Sequence, residues 1–396
     1  MISSVVSRRL GAAALSAALA AALALAATLG AGPARAQVPA PEVAARAWLL
    51  VDMTTHTVLY NRLPDERVEP ASLTKLMTAY IVFNALKEKR LTLDARPPVS
   101  QVAYKAIGSR MFVDPRHPAS VEELLNGLIV QSGNDAAIVL AETLGGSEAQ
   151  FAEMMNAEAK RIGMINTRFT NSSGLPDPNH YSTARDLATL AIRLIEDHPT
   201  LYKLYSQREY TYNKIRQPNR NRLLFTDSSV DGVKTGHTDA AGYCLISSAQ
   251  REQPGSGFSR RMLSVLLGAG SENSRAIESQ KLLNYGFQNF DALQLYKRGE
   301  AVGSYQVWKG QAADVKAGFD HDVLVTVAKN QVANVKGEIE RNEPLVAPIA
   351  KGQRVGTLRV KVGAETLLER PLLALEDVQQ AGWFGRAWDT IRLWIK

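Results

Sequence analysis

The strongest constraint on this chain's fold is where its strand-forming runs fall. Ala47–Val51 and Thr57–Tyr60 are rich in β-formers and separated by a turn over Asp52–His56, which predicts a hairpin. The next such runs come far downstream, at Val230–Thr235, Tyr243–Ala249 and Met262–Gly268. Between them lie helical patterns at Leu73–Leu86, Val121–Val130, Ala136–Leu144 and Glu148–Ile162. A polar, Pro-containing loop follows over Asn166–Tyr181. Thr183-x-x-Asp186 then opens a helix through Ile195 in the manner of a capping box. Ser274–Phe287 is helical again. Strands at both ends with helices between predict an antiparallel sheet assembled from distant parts of the chain and covered by helices, an α/β (α+β) domain.

The texture changes after Phe290. Short alternating runs at Ser304–Trp308, Val323–Ala328, Val332–Ile339, Val355–Val362 and Thr366–Leu368 predict a small all-β domain. A chain of 396 residues is long enough for both domains. Its first segment has another purpose. Met1–Arg9 is basic, Leu10–Gly30 is nearly continuous Ala and Leu, and Ala34-Arg35-Ala36 is an A-x-A cleavage pattern: a secretory signal peptide. A retained membrane helix is the competing reading, since the run is long enough to span a bilayer. Arg8-Arg9 leaves twin-arginine export open. At the other end, Trp383, Phe384, Ala387, Trp388, Ile391, Trp394 and Ile395 share one helical face, with Arg386, Asp389, Arg392 and Lys396 opposite. Such an amphipathic helix suits a membrane interface; packing on the protein's own core is the alternative. The expected organisation is therefore a signal peptide over 1–36, a catalytic domain over 37–289, a β-rich domain over 290–378 and a membrane-anchoring helix over 379–396.

Composition excludes several functions. Arg8, Arg9 and Arg35 supply three of the net +7 charges, and the other basic residues are scattered, so no nucleic-acid partner is expected. The six histidines show no metal-ligand spacing, and no cofactor is expected. No G-x-S-x-G elbow or strand-borne G-x-G-x-x-G occurs. Cys244, the one cysteine, sits in an apolar run and reads as a buried small hydrophobe.

Three short strings carry the chemistry. In Ser72-Leu73-Thr74-Lys75 the i, i+3 spacing puts a hydroxyl and an amine on one helical face. Serine needs a base to become a nucleophile, and a lysine that has lost its proton can be one. Alone, the string fits a helix start with a solvated lysine equally well. Ser132-Gly133-Asn134 interrupts two helices, so a hydroxyl and a carboxamide could face one cleft; alone, it fits an ordinary turn. Lys234-Thr235-Gly236 ends a strand, where a cation and a hydroxyl could hold a carboxylate and Gly236 leaves room for a ligand along the edge. Alone, it fits an exposed edge lysine.

Together and in this order they form the signature shared by penicillin-binding proteins and class A β-lactamases. With Glu69–Lys75, Gln131–Asp135, Ile215–Asn221 and Val230–Asp239, the chain resembles the D-alanyl-D-alanine carboxypeptidase family of low-molecular-mass penicillin-binding proteins over nearly all its length beyond the signal peptide. The resemblance implies Ser72 as acylated nucleophile, Lys75 as its base, and Ser132 and Asn134 as catalytic partners. It implies Lys234, Thr235 and nearby Arg220 as the receptor for a terminal carboxylate, and the backbone N–H groups of Ser72 and His237 as the oxyanion hole. It also implies peptidoglycan pentapeptides as substrate, β-lactams as covalent ligands, and a periplasmic location at the outer face of the cytoplasmic membrane. One departure stands out. Where close relatives carry an arginine soon after the last strand, this chain reads Gly268-Ala269-Gly270-Ser271. A DD-endopeptidase, a β-lactamase and a non-catalytic peptidoglycan-binding scaffold are the alternatives; Asn166–Tyr181 holds Asp177 but no glutamate to serve fast deacylation.

Overall fold

The structure, a computed structural model, describes residues 38–395; the expected signal peptide over 1–36 lies outside them. Strands β1 (Ala47–Asp52) and β2 (Thr57–Arg62) form the expected hairpin. β3 (Glu209–Tyr212) and β4 (Ile215–Pro218) pair as a separate small hairpin that the sequence did not suggest. β5 (Val230–Thr238), β6 (Gly242–Glu252) and β7 (Ser259–Ala269) join the first hairpin in an antiparallel sheet of order β2-β1-β7-β6-β5. Two distant parts of the chain therefore meet inside the sheet, where Leu50 pairs with Ser264.

β1 reads as an unbroken apolar run because both its faces are covered. Ala47, Leu49 and Val51 join the core beneath the sheet with Leu76, Met77 and Phe83, while Trp48 and Leu50 pack on the other side with Leu266 and Leu282. Leu282 belongs to the Glu272–Asn289 helix, which covers that second face. Below the first face runs the Lys75–Lys87 helix, buried nearly all round and hence only weakly amphipathic in sequence. The Thr183 cap is half of the box expected from sequence. Its hydroxyl accepts from Asp186 N at 3.1 Å, but the Asp186 carboxylate turns away to accept from Asn166 N and Thr167 Oγ1.

From Phe290 to Ala374 the chain is built mainly of strands. β8 (Phe290–Tyr296) pairs with β11 (Val323–Ala328). β9 (Ala301–Trp308), β10 (Asp314–Gly318), β12 (Val335–Arg341), β13 (Leu345–Val346), β14 (Arg354–Val362) and β15 (Glu365–Ala374) build a second sheet of order β12-β14-β15-β10-β9-β13. β8 escaped notice because no Gly or Pro separates it from the preceding helix. The expected Val332–Ile339 strand begins only at Val335, because Lys329–Asn334 winds into a 3-10 turn.

A buried ion pair ties this region to the first sheet. Asp52 Oδ2, at the end of β1, accepts from Arg260 Nη2 at 2.6 Å and from Thr326 Oγ1 of β11 at 2.8 Å. Arg260 Nη1 donates to Phe290 O at 2.6 Å. Both charged side chains are closed to solvent.

The C-terminal helix spans Trp383–Ile395. Its polar side meets the β domain: Asp389 Oδ2 accepts from Lys309 N, and the Arg392 guanidinium lies 5.7 Å from the Trp308 ring. Its aromatic side faces outward, with Trp388 64% and Trp394 92% exposed. That is the reverse of a helix packed by its apolar face; the side chains of Ile391 and Ile395, expected on the same stripe, lie outside the described residues. No helix among the described residues is long and apolar enough to cross a membrane.

Removing one partner of a buried pair strands the other charge. Arg260→Ala is expected to lower the unfolding free energy by about 3–5 kcal/mol, read as a shift in urea midpoint. A loss under about 1 kcal/mol would show that the Asp52 carboxylate finds another partner.

Candidate active site

Ser72 lies in a 3-10 turn, Ala71–Thr74, that leads directly into the Lys75–Lys87 helix. Buried Leu73 and Leu76 anchor the turn to the core, which fixes the direction of the neighbouring Ser72 and Lys75 side chains. Lys75 is 1% exposed, so it is not the solvated lysine that the string alone would allow. Its Nζ donates to Ser72 Oγ (3.0 Å), Asn134 Oδ1 (2.7 Å) and Ser173 O (2.6 Å). Burial, and secondarily the charge of Arg220, push its pKa down to about 7.

The loop over 166–181 supports this turn from below. Ser173 O meets Lys75, and Ser172 O accepts from Thr78 Oγ1 at 2.6 Å. His180 Nδ1 accepts from Thr170 N, which leaves Nε2–H to donate to Thr74 Oγ1 at 2.8 Å. Burial pushes the His180 pKa down to about 4, so the ring is neutral near pH 7. Sequence reasoning missed His180, since an isolated histidine in a polar loop carries no pattern.

Ser132-Gly133-Asn134 is more than an interhelical turn. The Val121–Asn126 helix loosens into a π turn over Gly127–Gln131, and Ser132 then takes a left-handed conformation at φ 66° before a new helix starts at Asn134. Asp135 stabilises the break by accepting from the N–H groups of Met111, Phe112 and Val113. Asn134 Nδ2 donates to Ile107 O, so the same carboxamide holds the Lys75 amine and a neighbouring loop. Ser132 Oγ is buried and has no hydrogen-bond partner among the described residues.

The third string sits on β5, the sheet's edge strand. Lys234 is nevertheless buried at 3% exposure, which removes the edge-blunting reading. Its amine donates to Thr235 O at 3.0 Å, and burial, then the charges of Lys75, Arg220 and Arg275, hold its pKa well below the usual lysine range. At Gly236 the space is already occupied by the protein itself. A Cβ there would meet Pro70 O at 3.2 Å and Ala71 Cβ at 3.3 Å, so the missing side chain seats the Ser72 turn against the strand. Thr238 Oγ1 donates to Glu69 Oε2 at 2.9 Å and clamps the same contact. The His237 ring lies 4.0 Å from that of Tyr243. Arg220 is held by its neighbours in the string: Asn219 Nδ2 donates to Gln207 O and Asn221 Nδ2 to Gly232 O, both at 2.9 Å.

One cavity of about 380 Å³ collects these elements. Ser72, Ser132, Arg220, Thr235, Gly236 and His237 line it, with Lys75 and Asn134 hydrogen-bonded behind Ser72. Ser109, Tyr243, Glu272 and Arg275 also line it and were not anticipated. Arg275 bears on the departure noted in the sequence. One turn into the helix that follows β7, it is buried, reaches Gly236 O at 3.4 Å and lies over the Tyr243 ring. The i, i+3 pair Glu272–Arg275 behind the Ser271 cap was its only sequence signal. Cys244 is buried and its thiol is pushed up to about 11, which leaves it inert at neutral pH. No group of three potential metal ligands occurs among the described residues.

A hydroxyl bonded to a buried amine of lowered pKa, facing a cavity with a cationic end, is equipped for acyl transfer from an anionic substrate. Residues 34–270 match the family described as D-alanyl-D-alanine carboxypeptidase, and residues 290–380 match the penicillin-binding protein 5 C-terminal domain. The D-alanyl-D-alanine carboxypeptidase DacC of Escherichia coli K12 is 41% identical over 90% of each chain. The crystal structure of penicillin-binding protein 5 from Haemophilus influenzae is 38% identical, covers 87% of this chain and 100% of its own, and superposes with a TM-score of 0.81. Ampicillin-bound penicillin-binding protein D2 from Listeria monocytogenes, 32% identical, covers 63% of this chain and 100% of its own at a TM-score of 0.56. The chain belongs to the D-alanyl-D-alanine carboxypeptidase family of penicillin-binding serine peptidases.

Proposed function

We propose that the chain removes the terminal D-alanine from peptidoglycan pentapeptide stems through an acyl-enzyme on Ser72, and that β-lactams acylate the same oxygen. The observation that carries this reading is the hydrogen bond between Ser72 and a buried Lys75 whose pKa lies near 7. Neutral Lys75 takes the Ser72 hydroxyl proton as Oγ bonds to the carbonyl carbon of the penultimate D-Ala. The backbone N–H groups of Ser72 and His237 receive the developing oxyanion. The C–N bond then breaks, and the proton passes by way of Ser132 to the leaving amine. Water attacks the ester, the C–Oγ bond breaks, and Ser72 regains its proton. Lys234, Thr235 and Arg220 hold the terminal carboxylate, and Asn134 keeps Lys75 aimed while facing the substrate amide.

The same reading assigns residues 1–36 to a cleaved signal peptide, 37–289 to the catalytic domain, 290–378 to the β-rich domain and 379–396 to a membrane anchor. The enzyme works in the periplasm, at the outer face of the cytoplasmic membrane. The outward aromatic face of the Trp383–Ile395 helix supports the anchor: Trp383, Phe384, Trp388 and Trp394 are all exposed, which suits burial at the headgroup–acyl boundary.

Intact-mass spectrometry after exposure to penicillin should show one adduct on the wild type and none on Ser72→Ala. Lys75→Arg keeps the charge but cannot supply a neutral base, and acylation should fall by about 10²-fold or more. An adduct on Ser72→Ala, or near-normal acylation of Lys75→Arg, would reassign the nucleophile or the base.

The pH profile follows from Lys75. Its active form is the neutral amine, so acylation should rise with pH through about 7 and level off above it. Each unit below that value costs about tenfold in neutral amine. A rate flat across this range would remove Lys75 as the base.

Deleting residues 381–396 should abolish co-sedimentation with anionic vesicles and leave turnover of small peptides unchanged. Equal vesicle binding by the truncated enzyme would refute the anchor.

A further inference from the structure

Among the described residues, Glu272 is the only acid lining the cavity. It belongs to neither the nucleophile nor the carboxylate receptor, yet it stands at the cationic end. Its carboxylate lies 3.3 Å from Arg222 Nε and 3.7 Å from Arg275 Nη2. Its negative charge opposes the effect that burial has on both Arg220 and Arg275. The side chain is 44% exposed and is not locked by a bidentate pair.

A substrate that ends in a free carboxylate brings a second anion into this space. Glu272 repels it and already draws on the guanidinium of Arg275. A substrate whose product-side residue continues as an amide brings no charge there and is indifferent to Glu272. Resting on the carboxypeptidase reading above, we propose that Glu272 is a specificity-determining residue: a built-in anion that weakens the preference for free C-terminal carboxylates and keeps the site open to peptides whose product-side residue continues as an amide.

The test compares two D-Ala-D-Ala peptides, one a free acid and one a C-terminal amide, on wild type, Glu272→Gln and Glu272→Asp. Glu272→Gln should raise kcat/KM for the acid about two- to fivefold, mainly through KM, and leave the amide unchanged. The gain should shrink at high salt. Glu272→Asp keeps the charge and should stay near the wild-type ratio. A fall in acid turnover on Glu272→Gln would show that Glu272 orients the arginines, and parallel changes on both peptides would show a structural role; either overturns the proposal. The same comparison on benzylpenicillin and its methyl ester reads Glu272 through acylation alone. Acylation without hydrolysis of either peptide by the wild type would refute the carboxypeptidase reading. An unchanged acid-to-ester ratio on Glu272→Gln would refute the role of Glu272.

Discussion

The site depends on keeping one amine out of water. Lys75 is enclosed by the core below the sheet, and its three hydrogen-bonding directions are all used: by Ser72, by Asn134 and by the carbonyl of Ser173. Three separate stretches of chain converge there, and each is braced for the purpose. Asp135 holds the loop beside Asn134, and His180 ties the loop over 166–181 to the nucleophile's turn. Exposing the amine would return its pKa to the ordinary lysine range and remove the base at neutral pH. The glycine of the third string serves the same enclosure, because it lets β5 close over the turn that carries Ser72.

Much of this was legible in the sequence, for physical reasons. Apolar patterning marked the five strands of the first sheet and the longer helices between them, and the ordered strings marked Ser72, Lys75, Ser132, Asn134, Lys234 and Thr235. Arg275 and Glu272 were not legible, because they enter the cavity from a helix whose pattern is set by packing on the sheet. The second strand of the β3–β4 hairpin was hidden in the Ile215–Asn221 string, whose one expected role lay with Arg220. The β domain was seen in outline; β10, a short Asp-Val-Lys-Ala-Gly strand, has too little β propensity to announce itself.

The cationic end of the cavity is a balance of opposite charges. Lys234, Arg220 and Arg275 raise the potential there, and burial makes each more costly to keep protonated. Glu272 offsets part of that cost for Arg220 and Arg275. A bound carboxylate would do the same, so stability without ligand and affinity for an anion compete for the same positive field.

The pairing of β1 with β7 has a consequence for how the protein is made. Leu50 and Ser264 lie about 200 residues apart, and β1 has no partner on its inner side until β7 exists. Loop closure over such a distance is entropically expensive and slows folding of the whole domain. The helical segment between them cannot bury its apolar face until the sheet is complete. The core beneath the sheet is therefore completed only after β7 has been synthesised, so the first hairpin and the helices that follow it must wait for the last strand of the sheet.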